Sequence, residues 1–161
     1  MTLQTRVQQL VAQFRHIGAT RMDGVPVLHP GLQVAAVGFE PDAANGGAVG
    51  VLLTPWFMNL VWLPPQPAPA DAPPPLRVGE LRVRNVGNAS FDFIGAHEDG
   101  IGAFEACSLF SPMFEFEDQA AALATAQAVL DQLRALPEPE PVPAPVPARR
   151  RFLLGGRGAA A

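Results

Sequence analysis

With 161 residues, 48% of them hydrophobic, the chain has room for one core but not two, and too much apolar content to be disordered throughout. The net charge of −4 argues against nucleic acid as a partner. No apolar run is long enough for a membrane span, the longest being broken by Thr54, Pro55 and Asn59, and the N-terminus lacks the apolar centre of an export signal, so a cytoplasmic protein is expected.

In chain order, Leu3, Val7, Leu10, Val11, Phe14 and Ile17 fall on one face of a helix that Thr2 is placed to cap and Gly18 to end. Residues 19–33, rich in Gly and Pro, read as a loop. Strands are expected near 34–40, 48–54, 56–63, 80–86, 90–96 and 102–109. Asn45-Gly46-Gly47 and Gly87-Asn88 supply the positive-φ residues that hairpins need. Pro64–Pro75 is too proline-dense to pair and reads as a mobile surface loop. A last helix starts at Asp118 and runs to Leu136, with Leu123, Val129, Leu130 and Leu133 on one side. The fold expected is α+β, an antiparallel β-sheet meander flanked by an N-terminal and a C-terminal helix, both on one face of the sheet. The domain covers 1–136. A polyproline-type linker follows at 137–148, roughly 35 Å long at ~3.1 Å per residue, and then a tail at 149–161, the Pro-rich C-terminus being disordered. Charge is unevenly shared: residues 1–136 hold seven Arg against thirteen Asp and Glu, net −6, and residues 137–161 hold four Arg against two Glu, net +2.

Gly50–Pro64 has strand-like residues throughout but no alternation of apolar and polar positions. Leu52, Thr54, Trp56, Met58, Leu60 and Trp62 would share one face of an extended strand, and Leu53, Phe57, Val61 and Leu63 the other. Both faces must therefore be covered, by the protein's own core or by a partner that Trp and Met are suited to grip. Pro55, without a ladder donor, marks a turn, bulge or edge near Thr54–Trp56.

Within this stretch Thr54-Pro-Trp-Phe-Met-Asn-Leu60 is one long motif. Cys107-Ser-Leu-Phe-Ser-Pro-Met-Phe-Glu-Phe116 is a second. With Arg21-Met-Asp-Gly-Val-Pro-Val-Leu-His-Pro30 and Val37-Gly38-Phe39, they resemble the HybE/HupJ family of [NiFe]-hydrogenase assembly chaperones over roughly residues 21–136. The resemblance implies a non-enzymatic chaperone, without cofactor, that binds hydrogenase precursor subunits. The expected client is the small-subunit precursor with its twin-arginine signal peptide, held back from premature export, and the large subunit is a second possible partner. Client-binding candidates are Trp56, Phe57, Met58, Trp62, Cys107, Phe110 and Met113 for apolar grip, and Asn59, Ser108, Ser111, Glu115 and Glu117 for polar selectivity.

A twin-arginine ligand needs carboxylates for two guanidinium groups and an apolar floor for Phe-Leu. Glu115, Glu117 and Asp118 beside Met113, Phe114 and Phe116 could supply both, with Glu98 and Asp99 as a second acidic option. Equally, acidic residues at a helix start are favoured by its dipole alone. The tail contains Arg149-Arg150-x-Phe152-Leu153, the pattern of a twin-arginine export signal at the wrong end of a chain. It reads either as a solvated basic tip or as a tethered mimic of the client's signal.

His97-Glu98-Asp99 invites a metal reading, but three adjacent residues on a turn rarely converge on one ion, and His16 and His29 have no ligand spacing to them. No metal site is expected. Cys107 would need a base to act as a nucleophile, and His97 is the nearest in sequence. A small-ligand or thiol-dependent module using Cys107 and His97 is therefore one rival reading. An obligate subunit of a larger complex is the other.

Overall fold

The computed structural model describes residues 2–135. The expected linker at 137–148 and the tail residues Arg149, Arg150, Phe152 and Leu153 lie outside the described residues.

Eight elements follow one another: α1 (Leu3–Ala19), β1 (Ala35–Pro41), β2 (Ala48–Leu53), β3 (Met58–Leu63), β4 (Leu81–Val86), β5 (Ala89–Glu98), β6 (Gly102–Phe110) and α2 (Gln119–Arg134). Thr2 caps α1 by accepting the Thr5 N–H at 3.1 Å, and Asp118 caps α2 by accepting the Ala121 N–H at 2.9 Å. Gly18 lies inside the last turn of α1 rather than ending it. A Cβ there would sit 3.3 Å from the Trp56 ring, so this glycine admits the indole instead of stopping the helix.

All six strands form one antiparallel sheet in the order β1-β2-β3-β6-β5-β4. It consists of two three-strand meanders joined at the centre, where Leu60 pairs with Cys107 and Trp62 with Glu105. The proline-rich passage after β3 carries the chain to the far edge, and the second meander then runs back to meet β3. β3, buried along almost its whole length, thereby gains a neighbour on each side.

The two helices pack on opposite faces of the sheet, which corrects the expected single-faced arrangement. Leu10, Phe14 and Ile17 of α1 meet Leu52, Val61, Leu63 and Phe104. Ala122, Ala126, Leu130 and Leu133 of α2 meet Val49, Val51, Leu53, Met58, Leu60 and Trp62. The reason is in β2 and β3 themselves, whose alternating positions are apolar on both sides, so one helix layer cannot cover them. Small Ala122 and Ala126 let α2 approach closely. Leu123, expected on the packed face, is exposed instead.

The β4–β5 hairpin bends across the α2 face. Its tip docks on the end of α2, where Asn88 donates its N–H to Leu133 O and its side-chain amide to Gln132 O, at 2.9 and 2.8 Å. It also reaches the β1–β2 turn, where Asn45 Nδ2 donates to Asn85 O at 3.0 Å. On the opposite side, which α1 does not reach, Leu81, Val83 and Ile94 are in the open.

Candidate functional site

Three sequence motifs far apart in the chain meet at one end of the sheet. The first is the turn between β2 and β3. Thr54 Oγ1 accepts N–H bonds from Trp56 and Phe57 at 3.1 and 3.0 Å, and Thr54 N–H donates to Phe57 O at 2.8 Å. This places Trp56 and Phe57 in the turn rather than in a strand beginning at 56. Both rings pack on Phe14 of α1, with centroids at 6.5 and 5.8 Å, and pack edge-on to each other at 5.7 Å. Trp56 is half-buried and lines an open groove of about 360 Å³ with Gly18, Leu28, Val34 and Pro55; Arg15 and Gln33 stand at its rim.

The second motif continues from β6 into α2. Met113 and Phe116 are buried, and Phe116 packs edge-on against half-buried Phe110 at 5.1 Å. Between and beyond them the chain turns outward, leaving Phe114 54% exposed, the most exposed aromatic ring among the described residues. Glu115 and Glu117, which follow it in the chain, are exposed, as are Ser108 and Ser111 before it.

The third motif supplies His29, which the sequence reading did not place in the site. Its Nδ1 accepts the Gly31 N–H at 2.9 Å, its Nε2 is 2.7 Å from Phe116 O, and its ring stacks on Phe114. Its backbone N–H donates to Pro55 O at 2.9 Å. One residue thus touches all three motifs. Nothing in the spacing could show this, because His29 and Phe116 are 87 positions apart. Close by, Gln33 and Gln119 exchange backbone and side-chain bonds at 2.9 and 3.2 Å, fixing the loop to the start of α2.

The remaining candidates separate by burial. Trp56, Phe57 and Phe110 are half-buried at the motif end, and Ser108, Ser111, Glu115 and Glu117 are exposed. Met58 and Met113 are fully buried and Trp62 nearly so. These three side chains serve the core, which corrects their expected role as client grip. Trp62 lies on the α2 face at the other end of β3. Its ring carries the Arg84 guanidinium at 3.6 Å, and its N–H donates to Gly46 O at 2.9 Å. Arg84 in turn makes a bidentate, buried pair with Glu105 at 2.6 and 2.9 Å. Asn59 sits opposite Leu52 and Ser108 on the α1 side, with a buried Oδ1 that has no partner among the described residues.

Cys107 is half-buried against the α2 core, and burial, aided by the charge of Asp92, pushes its thiol up to about 11. His97 pairs with Ala103, four residues along β6 from Cys107, or roughly 13 Å at the strand rise. They do not form a nucleophile and base. Glu98 is engaged by Arg21 at 2.8 Å, which removes it from the second acidic option and leaves Asp99 exposed alone. Among the described residues, no three His, Cys, Asp or Glu side chains gather as a metal-binding group.

A family model described as [NiFe]-hydrogenase assembly, chaperone, HybE matches residues 5–156. The chain is 48% identical over 140 residues to Protein HoxT of Cupriavidus necator, covering 83% of this chain and 78% of that protein. It is 40% identical over 124 residues to the hydrogenase expression/formation protein HupJ of Bradyrhizobium diazoefficiens, covering 77% and 69%. The solution structure of HybE from Escherichia coli superposes with a TM-score of 0.63 at 25% identity, covering 96% of this chain and 91% of that one. The chain belongs to the HybE family of [NiFe]-hydrogenase assembly chaperones.

Proposed function

We propose that the chain is a cytoplasmic, non-catalytic chaperone that holds a hydrogenase small-subunit precursor by its twin-arginine signal peptide, delaying export until assembly is complete. The observation that carries this reading is the motif end of the sheet. Exposed Phe114 stands beside the exposed carboxylates of Glu115 and Glu117, which make no ion pair among the described residues, with the Trp56 groove on the same end. Carboxylates can take guanidinium groups in two-point hydrogen bonds, and an aromatic shelf accepts the apolar residues that follow them. The acidic body adds long-range attraction for a basic segment. The thiol-dependent alternative is disfavoured by the raised Cys107 thiol and by its separation from His97. The obligate-subunit alternative is favoured only by the open Leu81, Val83 and Ile94 face; a monodisperse monomer in sedimentation would count against it.

The deciding experiment titrates the purified chain with a synthetic twin-arginine signal peptide and with a version carrying two lysines instead. Micromolar binding that the lysine peptide loses is the expected result. Equal binding of both peptides, or of neither, overturns signal reading and moves the client to the large subunit or to the body of the small subunit.

A further inference from the structure

His29 is a hydrogen-bond hub of a specific kind. A backbone N–H can only donate, so the Gly31 N–H at 2.9 Å requires an unprotonated Nδ1. The ring proton then lies on Nε2 and is donated to Phe116 O at 2.7 Å. Both nitrogens of a neutral imidazole are satisfied by backbone, so the ring cannot turn without losing two bonds. Phe114 rests on this fixed ring, with centroids 6.1 Å apart and planes inclined by 23°. Its neighbours Met113 and Phe116 are buried in the core, which holds the backbone on either side of Phe114, and the imidazole is the aromatic ring against which the exposed Phe114 side chain stacks.

An exposed aromatic held in one orientation is the usual anatomy of a binding anchor, because little rotamer entropy remains to be lost when a partner arrives. We propose that His29 is a positioning residue for client binding, which holds Phe114 as the aromatic anchor for a segment carrying basic and apolar side chains. The occupant follows from charge: the exposed Glu115 and Glu117 follow the anchor closely in the chain, so a cationic segment is favoured and an acidic one repelled. The inference rests on the motif end being the client surface, but not on which hydrogenase subunit is the client.

The test uses the full chain and two probes, the purified small-subunit precursor and the purified large-subunit precursor. Phe114→Ala is expected to weaken binding at least tenfold with an unchanged melting temperature. His29→Gln, which keeps an acceptor and a donor but removes the ring, is expected to weaken it three- to tenfold. In the Phe114→Ala background, His29→Gln should have no further effect, because the two act as one unit. Additive effects, or wild-type binding by Phe114→Ala, would overturn the proposal. A client-independent readout guards against a merely loosened loop: a fluorinated phenylalanine at 114 should shift its ¹⁹F resonance when His29 becomes Gln and keep it when His29 becomes Phe. An unchanged resonance in His29→Gln also overturns it. Binding to the large-subunit precursor alone would refute the signal-peptide reading while leaving the roles of His29 and Phe114 to be decided by the same variants. Binding to neither precursor overturns both.

Discussion

Glu105 is buried between two arginines, bidentate to Arg84 and 3.6 Å from Arg82, while Arg84 is also stacked on Trp62. Removing one partner of a buried pair leaves a desolvated charge, so Glu105→Ala should lose about 3–5 kcal/mol in urea unfolding. The double variant Arg84→Met with Glu105→Leu should recover most of that loss. Cys107 permits a second test at the same scale. The chain has no Tyr and no Lys, so no other side chain has an ordinary ionisation range between the unperturbed thiol value of 9.0 and the value of about 11 for Cys107. The folded state resists losing this proton, so the stabilisation from the neutral buried thiol is complete below pH 9 and disappears as pH rises towards 11. Urea midpoints of the wild type should fall across this window, and those of Cys107→Ala should fall less. Equal slopes would place the thiol in solvent.

At the scale of elements, the docking of the β4–β5 hairpin on α2 turns on Gly87. Its φ of +58° is one that L side chains rarely adopt, and an added Cβ would collide with Leu133 O, the acceptor of the Asn88 N–H. Gly100 has a similar φ of +83° with open space around it. Gly100→Ala should therefore show backbone strain alone, about 1 kcal/mol. Gly87→Ala should cost clearly more, about 2–4 kcal/mol, since strain and lost docking add. Melting temperatures of the two variants, measured side by side, check this. The element boundaries were largely legible in the chain: hairpin glycines, the Asp118 cap and the Thr2 cap all act where their chemistry suggested. The side of the sheet each helix takes was not legible from either helix. It was, however, implicit in β2 and β3, which are apolar on both sides.

Over the whole molecule, charge and exposed apolar groups are spread unevenly. The described body is acidic, and the Arg149-Arg150-x-Phe152-Leu153 pattern at the basic end of the sequence has the composition of the proposed ligand. If that segment competes with the client, its tether gives it an effective concentration in the millimolar range, so weak intrinsic affinity suffices. Deleting residues 149–161 is then expected to tighten binding of a twin-arginine peptide severalfold, read by titration. Unchanged or weaker binding would leave the segment as a solvated basic tip.

The sequence by itself determined the family, the element order and the caps, because these depend on local residue chemistry and on two long motifs. Tertiary structure alone decided which motif residues are exposed and which are core. Met58, Trp62 and Met113 look like gripping residues by type and are core by burial, whereas Phe114 points outward between buried neighbours. It also decided that His29, remote in the chain, sits under Phe114. Residue type and spacing show that a segment must be covered, but which distant segment covers it depends on how the chain folds over itself.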